Sequence, residues 1–170
     1  MKSIIEQKLK PLIGIPLSKV GRSANVVWFC FGEKRISKDF FGNKREVFQY
    51  AIHLECSWRI IKNNIIEIGS KDLYVPSKEW KGDDENFEWD IQGNNLFDDW
   101  INLSNSCLPL NITNFSVDQV CGIKVFFEED YVLEIFPNNS TDDECWRFFI
   151  PGNLDSHLVI TGKGVKEQQE

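Results

Sequence analysis

Trp58-Arg59-Ile60-Ile61-Lys62-Asn63-Asn64-Ile65-Ile66-Glu67-Ile68 is the stretch that decides the fold class. Two apolar runs flank an Asn-Asn pair. Asparagine is among the few residues other than glycine that tolerate the positive φ values of a tight hairpin turn. The stretch therefore predicts antiparallel strands at 58–62 and 65–68, joined at 63–64. The same reasoning applies twice more: Gly42-Asn43 turns between 36–41 and 44–54, and Glu128-Glu129-Asp130 joins 123–127 to 131–136. Upstream, Asn25-Val26-Val27-Trp28-Phe29-Cys30-Phe31 carries an unbroken apolar run and predicts a strand buried on both faces. Segments 45–54, 112–120, 145–150 and 157–161 add further β character. Short strands with turn signals every ~8–12 residues predict a mainly antiparallel sheet, two-layer or sandwich-like.

Helices are few. Asn95 is a good N-cap for a helix over 95–104, with Asp98 and Asp99 in the first turn near the positive dipole end. Leu96, Phe97, Trp100 and Ile101 give it one apolar stripe. Ser3-Ile4-Ile5-Glu6 fits a capping box opening a short helix over 3–10, limited because Pro11 biases Lys10 away from helical dihedrals. The expectation is an α+β fold in a single domain, 1–170, ending in a polar tail at 163–170.

The chain has 170 residues, 42% of them hydrophobic, and a formal net charge of -7. These values exclude a disordered chain and a fibrous repeat, and a nucleic-acid binder would normally be basic. The charge is uneven: residues 1–62 are net +7 and residues 63–170 net -14. No secretory signal follows Met1-Lys2-Ser3, and the longest apolar run is far below the ~20 residues of a membrane span. The five cysteines (Cys30, Cys56, Cys107, Cys121, Cys145) form an odd set without a C-x-x-C pair, as expected of reduced thiols packed as small hydrophobes. The expected location is cytoplasmic. In that setting Asn111-Ile112-Thr113 carries no weight as a glycosylation site.

The most unusual stretch is 79–90, where Glu79, Asp83, Asp84, Glu85, Glu88 and Asp90 interleave with Trp80, Phe87 and Trp89. Carboxylates steer a cationic partner and large rings supply desolvated anchors, so this segment is the candidate partner-binding surface. The plainer reading is a solvated loop pinned by its rings. A second feature is the near-repeat Glu55-Cys56-Ser57-Trp58-Arg59 and Glu144-Cys145-Trp146-Arg147. If the two strands pair, Arg59 and Arg147, with His53 nearby, line an anion pocket suited to carboxylate or phosphate. Otherwise each arginine pairs with an acid such as Glu134.

Positive signs of catalysis are lacking. His53 and Cys56, with His157 elsewhere, fall short of the three or four ligands zinc needs, and no metal or other cofactor is expected. Neither histidine lies in a nucleophile motif with a cysteine. Asp142-Asp143-Glu144 lacks the alternation and central glycine of a calcium loop, and Thr161-Gly162-Lys163-Gly164 lacks the first glycine of a phosphate loop.

His53-Leu54-Glu55-Cys56-Ser57-Trp58-Arg59, together with Glu134-Ile135-Phe136-Pro137 and Trp146-Arg147-Phe148, resembles a group of small bacterial proteins with a His-x-x-Cys-x-Trp-Arg stretch. The resemblance spans roughly 45–160; it implies a bacterial, single-domain protein and transfers no catalytic residue. In size, acidity and lack of an active site the chain is also similar to immunity proteins of polymorphic toxin systems. That likeness implies a non-catalytic protein that neutralises a basic toxin.

Overall fold

The computed structural model describes residues 1–38, 41–106, 108–153 and 157–166. Cys107, tail residues 167–170 and the Asp84 side chain lie outside that description. Most of the rest is antiparallel sheet. Its strands are β1 (Pro16–Ser23), β2 (Val26–Lys38), β3 (Lys44–Leu54), β4 (Ser57–Lys62), β5 (Ile65–Gly69), β6 (Leu110–Val117), β7 (Ile123–Phe127), β8 (Tyr131–Phe136), β9 (Glu144–Phe149), β10 (Leu158–Thr161) and β11 (Gly164–Val165). The order across the sheet is β11-β10-β9-β3-β2-β1-β6-β7-β8-β4-β5. Two short α-helices, α1 (Lys2–Leu9) and α2 (Leu96–Ser104), complete the α+β fold.

Local chemistry sets the turns. Asn63 and Asn64 adopt φ of 49° and 64° between β4 and β5, and Glu129 and Asp130 adopt 56° and 60° between β7 and β8. Gly42 takes φ 83° in the β2–β3 connection. For α2, the Asn95 side chain accepts from the Asp98 N–H, as its N-cap position predicts.

Four expectations need correction. The capping box does not form, because α1 starts two residues earlier than the motif requires. Met1 is the N-cap, and its carbonyl accepts from the Ile4 and Ile5 amides, which leaves Ser3 inside the helix. Lys10 is helical (φ -48°, ψ -39°) despite Pro11, because the chain tightens there into a 3₁₀ turn, Lys10–Leu12. A proline in a first turn gives up only an amide that lacks an intrahelical partner anyway. The third correction concerns the run after Asn25. Val27, Phe29 and Phe31 are fully buried, whereas Val26, Trp28 and Cys30 on the other face are half-buried. The strand is thus covered on one side. The fourth concerns β1 and β11, which the apolar pattern did not announce.

The sheet is far from flat. Four strands lie between β2 and β4, so ring positions on them would stand ~24 Å apart at ~4.8 Å per strand. Instead the Phe29 and Trp58 rings meet at 6.1 Å. The curl passes through a weak seam, since β1 and β6 pair only at Pro16↔Asn111 and Leu17↔Leu110. Beyond that seam the side chain of Asn105 completes the β1 edge, accepting from Val20 N–H and donating to its carbonyl. That contact ties the end of α2 to the sheet, and Phe97 packs on Trp58 in the core. One hydrophobic cluster draws on α1, α2 and the strands of both halves of the curl.

Candidate functional site

Loop 75–95 begins and ends at one place. Pro76 bridges Asn95, Ser77 N–H donates to the Asn94 carbonyl, and Leu96 N–H donates to the Val75 carbonyl. Arg22 holds the loop down. Its Nε and Nη2 form a two-pronged pair with Asp98, both bonds 2.6 Å, and its remaining donors reach the carbonyls of Ala24, Asp90 and Ile91. All five guanidinium N–H groups are therefore engaged. Burial by itself would raise the Asp98 carboxyl, but Arg22 and the Gly93 amide hold it below the usual carboxylate range. Asp99 fixes the other side of the neck by accepting from Ser77 Oγ and Lys78 N–H.

Above this neck the predicted partner-binding residues divide by type. Glu79, Asp83, Glu85, Glu88 and Asp90 are exposed, while Trp80, Phe87 and Trp89 are half-buried. Trp80 meets Phe87 edge-on at 5.7 Å, and Trp89 meets Tyr74 at 5.0 Å. The rings thus brace the loop and retain open surface. Tyr74, Val75 and Ile91 beside them are also exposed, at 47%, 41% and 48%.

The two arginines of the near-repeat are not joined by strand pairing. Arg59 is on β4, between β5 and β8; Arg147 is on β9, between β3 and β10. Arg59 pairs with Glu134, which also holds Lys124 at 2.6 Å. Burial raises the Glu134 carboxyl, and these two cations outweigh it and bring the carboxyl below its ordinary value. Arg147 is paired with Glu144 on its own strand. His53, by contrast, is the cross-strand partner of Arg147.

His53 opens onto the largest concavity, a cleft of about 960 Å³ over the half-buried face of β1, β2 and β3. Its ring meets Phe149 edge-on at 4.7 Å, and Phe149 stacks on His157 at 4.8 Å. Burial and the Arg147 charge lower both imidazole pKa values, so the pair is biased toward its neutral form. Trp28 lies along Gly21, where an added Cβ would sit 2.1 Å from its indole. Lys19 Nζ stands 5.7 Å from the Trp28 ring centre.

Among the described thiols, those of Cys30, Cys56 and Cys121 are held in the protonated form by burial. Cys56, Cys121 and Cys145 are buried, and burial pushes Cys56 up to about 12 and half-buried Cys30 up to about 11. A thiol held that high carries little thiolate near neutral pH. His53 faces the cleft and Cys56 the core; among the described residues no three His, Cys, Asp or Glu side chains gather as a metal would need. No helix is long and apolar enough to cross a membrane.

Arg22 and the cleft are the functional features that sequence reasoning missed. Arg22 and Asp98 lie 76 residues apart, with no local motif to link them. The cleft had one signal, an apolar run with more large side chains than one covered face can use.

No protein-family model matches the chain, and no curated protein or solved structure matches it.

Proposed function

We propose that the chain is a non-catalytic bacterial binding protein that neutralises a basic protein partner, the role of an immunity protein toward a cationic toxin. The observation that carries this reading is the composition of loop 75–95. Five exposed carboxylates stand beside exposed Tyr74, Val75 and Ile91, on a neck fixed by a buried arginine. Exposed apolar side chains rimmed by charge are what protein-recognition surfaces present. A braced loop also loses less conformational freedom on binding than a loose one. Negative potential speeds encounter with a cation and gives the rate its salt dependence.

The same reading takes the protein as a single domain in a reducing cytoplasm, with its sheet closed into two layers. One contiguous core, the Phe29–Trp58 contact across the curl and four free thiols among the described residues support it.

The test is capture from the native host's lysate at low ionic strength, ~50 mM, where the Debye length is longer than in physiological salt. The baits are wild type and an Asp83→Lys/Glu85→Lys/Glu88→Lys variant. A basic protein retained by wild type and lost by the variant is expected, with association slowing as salt rises. Identical captures by both baits would overturn the proposal.

A further inference from the structure

The cleft over β1, β2 and β3 has an electrostatic character opposite to that of the molecule as a whole. The chain is net -7, yet among the described residues the cleft lining carries Lys19, Lys38 and Arg45 against one acid, Glu46. That carboxylate is already engaged by Lys34 at 3.0 Å. Lys38 and Arg45 sit on adjoining strands one step out of register, since Ser37 pairs with Arg45 and Lys38 with Lys44. Among the described residues neither has an ion-pair partner. Alternation along the strands sends the two side chains to opposite sides of the hairpin, and both residues line the rim of one apolar hollow.

The floor is built to stay open and apolar. Gly21 has no side chain, so the Trp28 indole occupies the space a Cβ would take there. Phe48 and Phe149 extend this surface, and His53 beside them is biased toward its neutral form by burial. The volume, about 960 Å³, is within the range of small-ligand sites, which are mostly apolar with a few placed polar groups. It is too large to be a packing defect.

We propose that this cleft binds a small organic anion. Its apolar body lies on Trp28 and Phe149, and its carboxylate or phosphate is drawn to the rim that carries Arg45 and Lys38. Arginine matches either head group with its planar fork, and lysine adds a point charge. The cation-bearing rim concentrates such an anion despite the negative charge of the whole chain. This site is separate from loop 75–95 and does not depend on it.

The test uses a pair of fluorescent probes that differ by one charge: 1-anilinonaphthalene-8-sulfonate and its uncharged analogue N-phenyl-1-naphthylamine. Wild type is expected to bind the sulfonate saturably, one per chain. Lys38→Glu/Arg45→Glu should weaken the sulfonate about tenfold, a loss of ~1.4 kcal/mol, and change the neutral probe by less than about twofold. Both side chains are exposed, so this variant should keep the wild-type circular dichroism and Tm. The Asp83→Lys/Glu85→Lys/Glu88→Lys variant should bind the sulfonate as wild type does, which keeps this test independent of the loop. Displacement by decanoate assigns a carboxylate ligand, and displacement by decyl phosphate assigns a phosphate. The proposal is overturned by absence of saturable sulfonate binding, by equal effects of the rim variant on both probes, or by displacement by neither competitor.

Discussion

Loop 75–95 and the outer half of the β2–β3 hairpin are both exposed, and their charge is secured in opposite ways. The loop is acidic outside and held by a cation inside: Arg22 is 3% exposed and gives four of its five donors to the loop and Asp98, the fifth to the Ala24 carbonyl. The hairpin is basic outside and has no such anchor. Beyond the bulge at Gly32 its residues 33–36 and 44–46 are all exposed, and Lys34–Glu46 is an ion pair open on both sides, at 57% and 61%. Strand pairing holds it, with one exposed hydrogen bond from Arg35 Nη2 to the Pro151 carbonyl. A charge pair shapes a molecule when it is desolvated and hydrogen-bonded, and decorates it when it is wet. The loop is thus a fixed surface, whereas the hairpin brings Lys38 and Arg45 to the lining of a cleft.

That contrast can be broken most forcefully at Arg22. Arg22→Met should cost about 3–5 kcal/mol in urea denaturation, since Asp98 is left charged and unpaired and three carbonyls lose their donor. Arg59→Met should cost clearly less, because Lys124 still neutralises Glu134. Equal losses would mean that burial does not separate the two pairs. Next in size is Gly21→Ala. Its Cβ meets the Trp28 indole and must displace it, with an expected loss of about 1–3 kcal/mol and a shift in tryptophan emission.

Acidification sharpens the comparison further. His53 and His157 have lowered folded-state pKa values, so the unfolded chain binds protons first and stability falls as pH drops below ~6.5. Asp98 and Glu134 are also lowered, and their contribution is lost only in more acid solution, below ~4. Tm measured against pH should show both declines in wild type. In His53→Gln/His157→Gln the first should vanish and the second persist. The smallest effect is expected at the wet pair: Lys34→Met should change stability by no more than about 0.5 kcal/mol.

The parts of the fold legible in the sequence were those encoded within a few residues. Asn63-Asn64 turn where their tolerance of positive φ predicts, Glu128-Glu129-Asp130 join the two strands expected on either side of them, and Asn95 caps α2. Features that depend on distant partners were not legible. Strand β1 was hidden because Lys19, Gly21 and Arg22 interrupt its apolar pattern, and only the core reveals that Arg22 is buried with Asp98. The near-repeat around Trp58 and Trp146 left open whether its two strands pair. Both rings are in fact buried, on strands that do not pair. As for the loop, its acids and rings were evident from composition, but its neck was not. The cleft was concealed for a different reason: Val26, Trp28 and Cys30 are as apolar as Val27, Phe29 and Phe31, so hydropathy cannot tell a covered face from one left open.

Hydrogen–deuterium exchange on the protein with and without its captured basic partner tests the central claim most directly. Bound protein should show slowed exchange at amides across 79–91, with the hairpin segment 33–38 and 44–48 unchanged. Protection confined to that hairpin, with exchange in the acidic loop unaltered, would contradict it.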